Sequence, residues 1–443
     1  MPSNELHYGT RTPCDPRLSG CRNILFAKRL GATDVTFTSV CTLQEGNNWC
    51  TPQINYNNEE AALRVAIRYA RSLGLTVSLK PFVLAPSGEV LATYLEPSTA
   101  RKWLPSNPYE FFASIENNLV RHAQIAREEG VSLLMIGAEF GGRFTSGQAL
   151  NGYGDWCPRW TDMISKTRAA AAAVTQVPAS SPASLALTYS ATFAGFWNDL
   201  DANEAPYVCF WDQLDYLGFN AYPHMNLAPS QPAAAKLASG FNVYRRLFWP
   251  NNANASSTDD LLIAADSQID GQHFNFEPAV PGFEAFDLRH SGAGGYQAQF
   301  STASYSTKWA VDFVIDRLNN KFAASLRAQN RPPMKALITE VGAPSNPRVQ
   351  GFWGDSSTHS LQAGDAVYLD EQARALDGYL RAFFGDPRIV GVSLWGLMPH
   401  HDASYGPVEG WDLGYDFNGK AKAAEAICQW FKRGWRSGTC VTP

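Results

Sequence analysis

The sequence is short of charge. Only 17% of its 443 residues are Asp, Glu, Lys or Arg, against about a quarter in an ordinary globular chain. The net charge is −5 and no long Lys/Arg run occurs, so there is no basic stripe for a phosphate backbone and nucleic acid is excluded as a partner. No apolar run approaches the ~20 residues of a membrane span, so no membrane partner is expected. The eight cysteines contain no C-x-x-C spacing, which removes the zinc ribbon. The G-x-S-x-G elbow of serine hydrolases is missing, as are the Walker loop and the dinucleotide fingerprint. The start, MPSNELHYGT, lacks a signal-peptide core, as a mature chain also would.

What the sequence does have is aromatic surface. Aromatic residues make up 12%, with 13 Trp. Flat rings on a surface poor in charge suit neutral polar ligands such as sugars; the plainer reading of any one ring is core packing. Cys14 lies near Cys21, Cys41 near Cys50 and Cys428 near Cys440, leaving Cys157 and Cys209. An even count with three local pairs favours disulfides, an oxidising compartment and an extracellular or periplasmic location, against free thiols in a cytosolic enzyme. A monomer is the expectation.

The chain repeats one unit, an amphipathic helix followed by a short apolar strand. The helix NEEAALRVAIRYARSL has apolar residues at three- and four-residue steps, Gly74 stops it, and LTVSLKPFVL follows as a strand. Counting ELHYG as a short first strand, the remaining strands are DVTFTSVCTL, LTVSLKPFVL, VSLLMIGAEF, LALTYSAT, LDYLGFNAY, KALITEVG and IVGVSLWGL. Eight strands alternating with helices predict a parallel sheet closed into a (β/α)8 TIM barrel; an open doubly wound sheet is the other arrangement. The expected organisation is a single catalytic domain over 1–443. Residues 223–301, rich in Pro, Gly and Asn and without periodicity, read as a long insertion after the sixth strand, at the C-terminal face of the barrel.

Barrel active sites lie at the C-terminal ends of the strands. The fourth predicted strand ends in Glu139 and the seventh in Glu340. Those strands face each other across the barrel mouth, so both carboxyls can enter one cleft. Paired carboxylates suit glycoside hydrolysis, one giving a proton and the other attacking carbon or activating water; a salt bridge at the rim is the structural reading of either Glu alone. Lys80 ends the third strand, for a sugar hydroxyl, a carboxylate or a structural ion pair. Asn220 and Tyr222 end the sixth; Tyr222 either hydrogen-bonds Glu340 or packs locally. Trp395 ends the eighth, as a sugar platform or a core ring. Trp411 and Asp412 are candidates to line the cleft or pack its loop. His400, His401 and Asp402 do not make a metal site, because adjacent loop histidines diverge and no other His/Cys cluster completes one. Neither a metal nor a cofactor is expected.

These strand ends resemble glycoside hydrolase clan A, which retains anomeric configuration, and within it family 113, the β-1,4-mannanases. The resemblance is carried by AIRYARSLGLTVSLKPFV, MIGAEFGG, DYLGFNAYP, ALITEVGAPS and GYDFNGKAKAAEAI, over roughly residues 20–225 and 300–435. It implies a β-glycosidase with Glu139 as acid/base and Glu340 as nucleophile, an oligosaccharide or polysaccharide substrate, and endo action on β-1,4-mannan. Many clan members carry Asn before the acid/base; here Ala138 stands there, as it is also absent in family 113. The long insertion leaves open an exo-acting β-glycosidase, and a carbohydrate-binding barrel without catalysis is the non-enzymatic reading. Retention predicts carboxyls ~5–5.5 Å apart.

Overall fold

The structure, a computed structural model, describes residues 8–10, 13–15, 17–43, 49–52, 59–85, 91, 105–147, 155–193, 204–221, 268–269, 272–273, 314–316, 318–342, 372–373, 376, 379–380, 383–384, 386–396, 417 and 420–432. Its strands are β1 (Asp34–Leu43), β2 (Cys50–Pro52), β3 (Thr76–Leu84), β4 (Leu133–Ala138), β5 (Ala186–Phe193), β6 (Leu217–Ala221), β7 (Gln268–Ile269), β8 (Gln272–His273), β9 (Ala336–Val341) and β10 (Ile389–Leu394). Around one sheet the order is β10-β9-β6-β5-β4-β3-β1-β2. All neighbours are parallel except β1 and β2. The sheet curls until Thr36 Oγ1 of β1 lies 3.5 Å from Ser393 Oγ of β10. Seven parallel strands in chain order, brought round until the first meets the last, give the (β/α)8 barrel architecture.

The strands form where the sequence is continuously apolar, because helices cover their outer face and side chains fill the barrel. All six residues of β4 are buried, as are eight of nine in β3. The helices follow their start and stop signals. In the helix Pro108–Glu129 the Asn107 side chain accepts from the N–H groups of Tyr109 and Glu110, and Gly130 closes it in the left-handed region. Gly31 and Gly74 end Ser19–Leu30 and Glu59–Ser72 with φ 93° and 72°.

The predicted first strand is not seen among the described residues. Residues 5–7 lie outside them, Tyr8 is helical, and Gly9 has φ 67°, in the left-handed region that glycine adopts readily. The Tyr8 ring instead packs edge-on to Phe37 of β1 at 5.8 Å. No backbone ladder joins β1 to β10 among the described residues, and a cavity of ≈640 Å³ borders both strands. Of the predicted 223–301 insertion, only the hairpin β7–β8 is described.

Between β4, β5 and the helices Pro108–Glu129 and Cys157–Ala172 sits an aromatic cluster. Trp160 stacks on Phe210 at 4.6 Å and meets Tyr189 edge-on at 5.6 Å; Trp211 is fully buried beside them. For these Trp the core reading holds. Cys14 bonds to Cys21 and Cys157 to Cys209. Cys41 and Cys428 are also disulfide-bonded, and no described cysteine is free. No helix among the described residues is long and apolar enough to cross a membrane.

Candidate active site

Glu139 stands one residue past β4, with φ 54°. A side chain with a Cβ rarely adopts that conformation, which costs on the order of 1 kcal/mol or more. It is held from both sides. The Glu139 N–H donates to the Ser190 carbonyl at 3.0 Å, the Phe140 N–H donates to the Tyr189 hydroxyl at 2.9 Å, and Gly141 continues the turn with φ 84°. The result is a carboxyl turned off the strand, yet only 6% exposed.

Asn220 of β6 is its first partner, donating from Nδ2 to Glu139 Oε1 at 2.8 Å. Asn220 pairs in register with Glu340 of β9, so the two side chains leave adjacent strands at the same level. Lys80 of β3 completes the bridge. Its Nζ donates to Asn220 Oδ1 at 3.1 Å and to Glu340 Oε1. An ammonium can only donate, so the amide oxygen must face Lys80 and the amide nitrogen must face Glu139. Ser190 and Thr339 reinforce that orientation by donating to Asn220 Oδ1 at 2.6 and 2.9 Å. Lys80 is 1% exposed and lies 5.5 Å from the Phe82 ring centre and 5.9 Å from that of Trp395, where it gains cation–π attraction.

One cation therefore serves two buried carboxyls. The Glu139 pKa is pushed up to about 7, first by burial and second by the charge of Glu340; the Asn220 hydrogen bond and Lys80 pull it down by less. In this environment Glu139 keeps its proton to a higher pH than an ordinary carboxyl, while Lys80 keeps a counter-charge against Glu340.

The structure thus brings together Glu139, Glu340, Lys80, Asn220 and the partly buried Trp395. Lys80 is in an ion pair with Glu340. Tyr222, Trp411, Asp412, His400, His401 and Asp402 lie outside the described residues. Among the described residues no group of three or more His, Cys, Asp or Glu could hold a metal ion. Sequence reasoning missed Ser190, Thr339, Tyr189 and Glu204. Thr339 had a visible signal, a hydroxyl residue directly before Glu340; the others had none beyond lying on or just after a strand.

The model of Glycoside Hydrolase Family 113 matches residues 26–170, a span that includes Lys80 and Glu139. No curated protein matches. Among solved structures, a GH113 β-1,4-mannanase complex is similar at TM-score 0.53 and 14% identity, covering 94% of this chain and 93% of that one. The GH113 β-mannanase AaManA from Alicyclobacillus acidocaldarius, in complex with ManMIm, is similar at TM-score 0.50 and 16% identity, covering 94% and 91%. The chain resembles family 113 in part of its sequence and across its fold.

Proposed function

We propose that the chain is a retaining glycoside hydrolase, with β-1,4-mannan cut internally as its substrate. The observation that carries this is the pair Glu139 and Glu340, buried at the mouth of a barrel and sharing a single cation. The family match and the mannanase folds support the substrate class.

In the proposed reaction the Glu340 carboxylate attacks the anomeric carbon. As the bond to the leaving oxygen breaks, Glu139 passes its proton to that oxygen. A glycosyl ester on Glu340 results, and Glu139 is left as a carboxylate. Glu139 then takes a proton from water as the water oxygen attacks the anomeric carbon, and Glu340 departs as a carboxylate. The charge count is constant throughout. Before attack the site holds one carboxylate, Glu340, against Lys80; in the ester it holds one carboxylate, Glu139, against the same Lys80. Asn220 touches both Lys80 and Glu139, so it donates to the carboxyl that gains the charge and accepts from the cation that balances it. Trp395 is the proposed sugar platform. Tyr222, Trp411 and Asp412 keep their proposed substrate roles.

The chain is taken as one catalytic domain over 1–443 with 223–301 inserted at the cleft, exported to an oxidising compartment, and monomeric. The test is release of reducing ends from β-1,4-mannan and other β-glycans by the wild type and by Glu340→Ala. Internal cutting by the wild type, absent in the variant, supports the reading. Monosaccharide as the first product would move it to exo action, and inactivity of the wild type on every β-glycan would leave a binding barrel.

A further inference from the structure

We propose that Tyr189 and Glu204 are positioning residues for Glu139, acting through the backbone N–H of Phe140. The inference rests on Glu139 being the acid/base. Tyr189 accepts from the Phe140 N–H at 2.9 Å and donates to Glu204 Oε1 at 2.6 Å. The direction is forced. An N–H can only donate, so Tyr189 must accept there, and its one proton must go elsewhere. Glu204 supplies that acceptor and so locks the hydroxyl rotor.

Nothing about packing calls for a carboxyl at position 204. Glu204 is 0% exposed and Tyr189, above it, is ringed by Trp160, Phe210, Trp211 and Phe140. A carboxyl there costs desolvation that an apolar side chain would avoid. It is nevertheless built in with care: its second oxygen accepts from the Thr192 N–H at 3.3 Å, and its own N–H donates to Thr192 Oγ1 at 3.3 Å. The turn it serves is the strained one. Phe140 sits between Glu139 at φ 54° and Gly141 at φ 84°. Thr145 Oγ1 donates to the Gly141 carbonyl at 3.1 Å, Cys209 N–H donates to the Thr145 carbonyl at 3.0 Å, and the Cys157–Cys209 disulfide fixes that segment. The turn is therefore clamped to β5 and to the residues after it, and the Tyr189–Glu204 pair holds the N–H that follows Glu139 directly in the chain.

Leaving-group dependence tests this, because a mispositioned acid harms only leaving groups that need a proton. The probes are phenyl and 2,4-dinitrophenyl β-mannobiosides, with wild type, Glu139→Ala, Tyr189→Phe, Glu204→Leu and Glu204→Gln. Tyr189→Phe keeps every ring contact, and Glu204→Gln keeps an acceptor for the Tyr189 proton. The expected result is a fall in kcat/KM of about 10- to 100-fold on the phenyl substrate for Tyr189→Phe and Glu204→Leu. On the dinitrophenyl substrate the fall is under about threefold, and Glu204→Gln recovers most of the loss. Equal loss on both substrates, or no loss, while Glu139→Ala shows the split, overturns this inference alone. No split in Glu139→Ala overturns the acid/base reading, and this inference with it.

Discussion

Glu139→Gln should make the folded protein more stable at alkaline pH while abolishing acid catalysis. Burial and the Glu340 charge move the Glu139 pKa from 4.5 to about 7. Folded protein thus binds this proton more tightly than unfolded protein. The stabilisation is fully present below about pH 4.5 and is lost as the pH rises through 7. At 1.36 kcal/mol per pH unit, the loss is about 3 kcal/mol. Gln cannot ionise, yet it keeps the oxygen that accepts from Asn220 at 2.8 Å, so the variant avoids the loss without giving up the contact. With an unfolding entropy of about 2.1 cal/mol/K per residue, 443 residues give roughly 0.9 kcal/mol/K, and the expected gain in Tm is about 3 °C. The assay is thermal unfolding of both proteins from pH 5 to 8.5. Asp34 and Glu204, pushed by burial to about 6 and about 8, titrate in both proteins, so the difference between the two curves reports Glu139 together with its charge coupling to Glu340 and Glu204. The curves should meet near pH 5 and separate above 7. A gap that stays constant across the range would refute the assignment of a raised pKa to this residue.

Lys80→Met should leave the two carboxyls without their cation; a buried pair broken from one side loses about 3–5 kcal/mol, read as a lower urea midpoint above pH 7 together with a fall of about 100-fold in kcat/KM, and a variant of wild-type stability would show that Lys80 does not balance the site. Replacing Cys157 and Cys209 by Ser opens a bridge between residues 52 positions apart, worth about 4 kcal/mol by chain entropy; denaturant midpoints of the double variant measure it, and no shift would contradict the clamp. Gly218→Ala would set a Cβ 2.1 Å from the Tyr189 carbonyl oxygen and 2.8 Å from Thr188 Oγ1. Both lie on β5, which is paired with β6, so a loss of ~3 kcal/mol or failure to fold is expected, and a stable, active variant would mean the strands separate more easily than their packing implies.

The parts of this molecule that could be read from the sequence are those governed by local periodicity. β4 and β9 announce themselves as apolar runs that each lead into a single Glu, and a barrel places such ends in one mouth. Lys80 and Asn220 were found by the same rule. ELHYG carries no apolar repeat of its own, and residues 5–7 lie outside the described residues, next to a left-handed Gly9. Glu204 illustrates a different limit. In DANEAPYV it looks like one more solvated loop acid. Only the meeting of β5, the turn after β4 and the segment after β5 buries it, and no pattern within one segment encodes a contact among three.

Ala138 brings no polar group to the residue before Glu139, and the amide that meets this carboxyl comes from another strand. Considered alone, the strand leaves Glu139 without a polar neighbour on the preceding residue. The fold places Asn220 on the neighbouring side of the mouth, with its amide on the Glu139 carboxyl and its oxygen on Lys80. An amide on β6 is anchored independently, by Ser190 and Thr339, and it pairs in register with Glu340. One side chain thereby links Glu139, the Lys80 cation and the level of Glu340. It follows that Asn220→Ala should disturb both carboxyls at once, read as a changed pH dependence of thermal unfolding; an unchanged profile would show that Asn220 does not couple them.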